Sequence, residues 1–179
     1  ICLLALVKLL KRTFSDYREL IPVKEELESL ENYLVLMKNR YQNTFEWRIR
    51  MEQEAEDALV PRICVQPLVE NSISHGFGQK KGMGFIEIEA KKEGEDLLIS
   101  VCDNGEGADL EKMKKLLFST QDCQEGQVSS IGIRNVQRRI RLSFGDNSGM
   151  QVEGLAQGGI RIDLRMPFRT VQESAGGSH

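Results

Sequence analysis

Apolar residues recur at three- and four-residue spacing along the N-terminal part of the chain, then switch to strict alternation. Leu3, Leu6, Val7, Leu10 and Phe14 make one helical stripe. Pro22 interrupts it, and Leu27, Leu30, Leu34 and Met37 make a second stripe over residues 23–41. Glu25, Glu26 and Glu28 fall in the first turns of that second helix, where negative charge suits the dipole. From Phe45 the period is two: Phe45, Trp47, Ile49 and Met51 alternate with polar residues and predict a half-exposed strand. An acidic loop at 52–57 follows, and Pro61 is expected to open a helical stretch to about Gly76. Ile86, Ile88 and Ala90, then Leu97, Ile99 and Val101, flank Glu93-Gly94-Glu95-Asp96 and predict a hairpin. Residues 109–118 fit a short helix, whereas 121–130 are polar, carry no period and read as a mobile loop. Ile133, Val136, Ile140 and Phe144 form another helical stripe. Two further strands are expected at 150–153 and 160–166, around Gly158-Gly159. The final eight residues, from Gln172, form a small-residue tail expected to be disordered.

These elements predict an α/β (α+β) two-layer sandwich, a mixed sheet with helices on one face, preceded by a helical segment. The division is 1–41 for the helical segment, 42–171 for the α/β domain and 172–179 for the tail. A chain of 179 residues holds one domain with a substantial core and an extra helical element. Its 40% hydrophobic and 28% charged content is that of an ordinary soluble protein. A net charge of −3 gives no reason to invoke nucleic acid, and Arg138-Arg139-Ile140-Arg141 reads as a solvated helix face. Cys2, Cys64, Cys102 and Cys123 lack metal-type spacing and read as free, mostly buried thiols of a reducing compartment. The apolar run at the N-terminus is too short to span a bilayer and is broken by Lys8; it also lacks a positive leader. The chain therefore reads as part of something larger, with any membrane anchor or sensor outside it.

Three segments carry candidate chemistry. In Gln66-Pro67-Leu68-Val69-Glu70-Asn71-Ser72-Ile73-Ser74-His75-Gly76, one helix side (Val65, Leu68, Val69, Ser72, Ile73) packs on the sheet. Glu70 with Ser74, and Asn71 with His75, project from another side. An Asn carbonyl oxygen suits Mg²⁺, which takes few protein ligands when phosphates supply the rest. A neighbouring Glu70 can orient or deprotonate a nucleophile. The same residues would also serve as a plain solvated helix face. In Val101-Cys102-Asp103-Asn104-Gly105-Glu106-Gly107, a carboxylate at a strand end can accept a hydrogen bond from the exocyclic amine of adenine. Gly105 and Gly107 permit positive φ and close approach of backbone to ligand; an ordinary Asp-Asn-Gly turn has the same sequence. In Ser129-Ser130-Ile131-Gly132-Ile133-Arg134-Asn135-Val136, glycine and small polar residues at a helix start leave backbone N–H groups free for phosphate oxygens, or simply cap the helix.

In this order, the segments resemble the ATP-binding catalytic part of LytS-like (His-kinase type) sensor histidine kinases, within the gyrase/chaperone/histidine-kinase/mismatch-repair ATPase superfamily. Pro67-Leu68-Val69-Glu70-Asn71 with His75-Gly76 resembles that family's N box. Asp103-Asn104-Gly105-Glu106-Gly107 resembles its first glycine box, Ile131-Gly132-Ile133-Arg134-Asn135-Val136 with Arg138-Arg139 its second, and Gly158-Gly159 with the strand to Pro167 its closing hairpin. Upstream, Glu25-Glu26-Leu27 with Asn32-Tyr33-Leu34 and Arg40-Tyr41 resembles the segment joining the dimerisation helices to the kinase core. The match covers nearly the whole chain.

The resemblance implies a Bergerat-type fold with a mostly antiparallel sheet. It implies Asn71 as Mg²⁺ ligand, Asp103 as adenine anchor and Glu70 as the residue assisting phosphoryl transfer. His75, Gly105, Gly107, Ile131, Gly132 and Ile133 would complete the ATP site, with an ATP lid over 108–130. Two departures stand out: Ser74 replaces the family's usual Lys beside the N-box His, and Ser130 replaces the first glycine of the second box. The implied function is transfer of the ATP γ-phosphate to a histidine, and from there to an aspartate of a response regulator, in a homodimeric membrane sensor. Only two histidines occur, His75 facing the nucleotide and His179 in the tail. The phosphoacceptor is therefore expected upstream of Ile1, and this chain alone should bind ATP without phosphorylating itself. Two other readings stay open: a degenerate ATP-binding or dimerisation scaffold, and an ATP-driven clamp of the gyrase or chaperone class, for whose longer lid and transducer domain the chain has little room.

Overall fold

The computed structural model describes residues 20–77, 82–107, 110–111 and 128–171. The first apolar stripe, nearly all of the helix read at 109–118, most of the 121–130 loop and the tail lie outside the described residues. In chain order the elements are β1 (Leu20–Pro22), α1 (Val23–Arg40), β2 (Phe45–Met51), β3 (Leu59–Pro61), α2 (Gln66–Asn71), β4 (Gly84–Glu93), β5 (Asp96–Asp103), α3 (Val128–Phe144), β6 (Gly149–Gly154) and β7 (Ile160–Pro167). A single 3₁₀ turn (Gln53–Ala55) precedes β3, and α2 continues directly into a π-helical turn (Ser72–Gly76).

Five strands form one sheet in the order β2-β4-β5-β7-β6, with β2 parallel to β4 and every other pair antiparallel. This is the mixed, mostly antiparallel sheet that the alternation and the family resemblance predict. Alternation decides the faces. Phe45, Ile86, Ile88, Ile99, Val101, Ile162 and Leu164 point inward, where they meet Leu27, Leu30 and Leu34 of α1, Leu68 and Val69 of α2, and Ile133, Val136 and Ile140 of α3. The opposite face carries ion pairs instead, such as Arg48–Glu87 and Arg165–Asp96. The β4–β5 hairpin turns at Gly94, whose φ of 64° is of the kind glycine adopts without strain.

Two short elements depart from the periodicity. Leu20–Pro22 and Leu59–Pro61 pair antiparallel as a separate two-stranded sheet. Pro61 therefore ends a strand rather than opening a helix, and the helix begins five residues later, at Gln66. Each proline sits at the end of its three-residue strand, where a missing N–H is tolerated. The third helix also begins earlier than read: Val128, Ser129 and Ser130 are already helical.

Two side chains lock the layers together. The ring of Phe77, just past the π turn, lies over Gly84 so closely that a Cβ there would come within 2.7 Å of it, and it stacks on Phe45. Buried Gln137 of α3 accepts the Met150 N–H at 2.7 Å, pinning the start of β6 to the helix.

Candidate nucleotide site

The strand end at Asp103 is the most ordered part of the site. Asp103 is 4% exposed, yet both carboxylate oxygens are engaged. Oδ1 accepts the Gly105 N–H at 2.9 Å and the Ile160 N–H at 3.4 Å, and Oδ2 accepts the Ser72 hydroxyl at 2.7 Å. Each carboxylate oxygen offers two acceptor directions. Oδ2 therefore keeps one for a further donor, as an anchor for an exocyclic amine requires. Asn104 does not serve the site in the same way: its side-chain oxygen accepts the Phe85 N–H at 2.7 Å and ties the end of β5 to β4.

Glycines bring the β6–β7 turn against this strand end. Gly159, at φ +88°, packs so tightly that a Cβ would lie 1.9 Å from the Asp103 carbonyl oxygen. Gly158, at φ +89°, would place a Cβ 3.3 Å from the Gly105 carbonyl. Gly107 has the positive φ expected of it, at +88°. Gly105 does not; its contribution is its N–H on Asp103.

The second wall is α2 with its π turn. Val65, Leu68, Val69, Ser72 and Ile73 are all buried, as the helical spacing predicts. Ser72 is the one polar member of that face, and a buried hydroxyl must find a partner; its partner is Asp103, so the two walls are joined directly. Sequence reading counted Ser72 as packing only, although a lone serine on an apolar face was the available signal. Glu70 and Ser74 are exposed, and Asn71 is half-exposed. Ser74 turns its hydroxyl back to the Glu70 main-chain carbonyl at 2.7 Å, a local bond that accompanies the widening of the helix into a π turn. The Glu70 carboxylate instead accepts from Gln66 Nε2 at 2.8 Å. The side chains of His75 and Ile131 lie outside the described part of the structure.

Helix α1 supports the segment that leads into this wall. Glu26 lies in the first turn of α1, as its position predicts, and is also buried: it is 2% exposed and accepts the N–H groups of Ile63 (2.9 Å), Cys64 (2.8 Å) and Val65 (3.0 Å). Burial pushes its carboxyl above the ordinary value, against the pull of those N–H groups and of Arg139. Ile63 is held at φ +56°, a conformation that β-branched residues avoid. Arg139 donates to the Arg62 carbonyl and so is not part of a purely solvated face. Two turns further along α1, burial first, then the negative charge of Glu70, hold the half-buried Tyr33 phenol far above its usual range. Burial likewise pushes the Cys64 thiol well up, and Cys64 and half-buried Cys102 are both free.

Gly132 lies within α3, the fifth residue of its described span. A Cβ on Gly132 would make only an ordinary contact, 3.5 Å from the Pro67 Cβ. Ile133 is buried in the core at 5% exposure. Among the described residues no group of three or more His, Cys, Asp or Glu side chains is placed to hold a metal ion. A half-exposed amide such as that of Asn71 is of the donor type Mg²⁺ accepts when phosphates and water supply the remaining ligands.

Residues 56–170 match the family described as "Histidine kinase-, DNA gyrase B-, and HSP90-like ATPase". The chain belongs to this ATPase family. Its curated relatives are sensor kinases. Sensor protein LytS of Staphylococcus saprophyticus is 32% identical over 153 residues, covering 86% of this chain and 25% of that protein. Sensor histidine kinase BtsS of Escherichia coli is 30% identical over 151 residues, covering 84% of this chain and 24% of that protein. The chain thus spans about a quarter of the length of these relatives. Among solved structures, the nucleotide-free catalytic domain of histidine kinase ThkA superposes with a TM-score of 0.60 at 13% identity, covering 83% of this chain and 96% of that one. The mycobacterial sensor histidine kinase MprB gives 0.58 at 13% identity, with 86% and 99% covered. At such low identity these two likenesses establish the fold: that of a histidine-kinase catalytic domain. No helix among the described residues is long and apolar enough to cross a membrane.

Proposed function

We propose that this chain is the ATP-binding catalytic core of a LytS-like sensor histidine kinase, which passes the ATP γ-phosphate to a histidine outside the chain and onward to a response-regulator aspartate. The observation that carries this reading is Asp103, buried, fixed by three donors and left with one acceptor direction. An adenine amine satisfies that direction, whereas the 6-keto oxygen of guanine would face a carboxylate. Gly105 and Gly107 follow it in the turn against which the base would lie, with Gly158 and Gly159 packed behind. Asn71 holds Mg²⁺, which when bound neutralises phosphate charge. The backbone at Ile131, Gly132 and Ile133 would meet the phosphates. Glu70 orients the attacking imidazole and takes its proton, and transfer otherwise rests on positioning and charge. The whole protein acts as a homodimer, with a cytoplasmic kinase portion and any membrane anchor outside this chain.

The test uses γ-labelled ATP with Mg²⁺. Acid-labile label should appear on the full-length kinase carrying these residues and not on the 179-residue chain alone; label on the isolated chain overturns the assignment of the acceptor. One observation favours the scaffold reading: Ser74, where the family's lysine would meet phosphate, spends its hydroxyl on its own helix. A chain that fails to bind nucleotide at millimolar concentration would decide for the scaffold.

A further inference from the structure

Helix α2 is six residues long, and its N-cap, Val65, offers no side-chain bond to the helix start. So short a helix is not stable by itself in water, and its position is set by what grips its ends. At the start the grip comes from α1. Oε1 of buried Glu26 accepts the N–H groups of Cys64 and Val65, and Oε2 accepts that of Ile63. The Val65 carbonyl in turn accepts from Leu68 at 3.1 Å and Val69 at 3.3 Å, which opens the first turn of α2. Asn71 follows two residues later, at the end of the same helix. Arg139 of α3 donates to the Arg62 carbonyl, so a second helix holds the same segment. The strain at Ile63 marks where the grip acts. Its φ is +56°, yet its side chain is 43% exposed, so core packing does not keep it there; the backbone bonds to Glu26 do. The first residues of α1 are themselves fixed: the Val23 N–H donates to the Ala58 carbonyl at 2.8 Å and the Lys24 N–H to that of Glu56 at 3.1 Å.

We propose that Glu26 is a positioning residue for Asn71: its carboxylate, reaching from α1, fixes residues 63–65 and so sets where the Asn71 amide meets Mg²⁺ and the phosphates. This deepens the proposed function and rests on Asn71 having the role given to it there. The other end of α2 is tied to the base wall, through the Ser72 hydroxyl on Asp103. Loosening the Glu26 grip therefore moves the metal side of the site, while Asp103 keeps its donors from Gly105 and Ile160. Helix α1 thus has a hold on one wall and not on the other.

The test measures calorimetric binding of a non-hydrolysable ATP analogue to the 179-residue chain, with Mg²⁺ and with the metal chelated. The quantity read is the gain in affinity that Mg²⁺ brings. Glu26→Gln keeps an oxygen for Cys64 and Val65 but sets an amide N–H₂ against the Ile63 N–H. It should lower the gain about tenfold, as lost support of a metal ligand does, and leave metal-free binding within about twofold. In an Asn71→Ala background, where the gain is already small, the same substitution should cost nothing further. Met166→Val is the control for lost stability alone. It thins the core beside Leu97, at the end of the sheet away from Asp103, and should leave the gain intact. An unchanged gain in Glu26→Gln overturns the proposal, as does an equal loss with and without metal or in both backgrounds. If Met166→Val loses the gain as well, instability explains the effect and the proposal falls. Should Glu26→Gln not fold, Arg139→Gln releases the other grip on the segment, and an unchanged gain there overturns the proposal equally. An Asn71→Ala chain with the full gain refutes the metal role of Asn71, and the proposal with it. A reduced gain in Asn71→Ala beside a normal one in Glu26→Gln refutes only the role of Glu26.

Discussion

The two walls of the site are built on opposite plans. The Asp103 wall is buried, its carboxylate held on both oxygens by donors from three separate parts of the chain, with glycines excluding any side chain from the space behind it. The Glu70–Asn71 wall is exposed, sits where an α-helix loosens into a π turn, and follows a segment that Glu26 of α1 holds in place. A base pocket profits from being preformed, since a fixed acceptor needs no reordering when the amine arrives. A transfer site has to admit an acceptor and release a product, so its groups lie at the surface and are set from outside.

The largest effect that would break this contrast is Gly159→Ala. Its Cβ would lie 1.9 Å from the Asp103 carbonyl oxygen, at a φ of +88° that alanine resists, so β7 or the strand end must move. Nucleotide binding should be lost, and the chain should be destabilised by about 2–4 kcal/mol, read from chemical denaturation. A bound complex of normal affinity would show that the turn does not shape the base wall.

Next comes Ser72→Ala. It leaves a buried carboxylate oxygen short of its donor, at a cost of about 1–3 kcal/mol in stability. It should also weaken ATP binding while leaving KM-independent steps alone. Ser72→Thr, which restores the hydroxyl, should recover part of both. Equal behaviour of Ala and Thr would mean that the bond to Asp103 is incidental.

The pH dependence sharpens the other side. Burial raises the Glu26 carboxyl above its ordinary value of 4.5, so the folded chain binds that proton more tightly than the unfolded one. Its contribution to stability is therefore full below that value and is lost as pH rises through the raised folded one. Glu26→Gln should flatten this part of the profile of thermal midpoint against pH; a profile parallel to the wild type would contradict the burial of a titrating acid there. The smallest effect is expected on the open face of the sheet. Arg48→Ala removes a half-exposed pair with Glu87 and should change stability by less than about 1 kcal/mol.

The sheet and its helices were legible because alternation and helical spacing report which side of each element is buried, and here nearly every stripe found the core. Asp103 was legible as an acid at a strand end. Its partners were not: Ser72 is 31 residues away and Ile160 is 57, and only the closed sheet brings them together. The strands Leu20–Pro22 and Leu59–Pro61 were hidden by their prolines and by a length of three residues, too short for any period to show. The burial of Glu26 was hidden for a related reason: an acid in the first turn of a helix suits the dipole whether it is solvated or buried. What decides is the neighbouring segment, which offers three unpaired N–H groups. The π turn leaves no trace in the spacing, since the bond from the Ser74 hydroxyl to the carbonyl four residues back is one that an ordinary α-helix also allows.

The central claim is that Asp103 is a preformed anchor for an aminopurine nucleotide. Calorimetric titration of a non-hydrolysable ATP analogue with Mg²⁺ into the wild-type chain and into Asp103→Asn tests it most directly. The account predicts one-to-one binding by the wild type, weakened at least about tenfold, or about 1.4 kcal/mol, in the variant, with the guanine analogue bound far less well than the adenine one. Equal affinities for wild type and variant, or no binding at millimolar nucleotide, would contradict it.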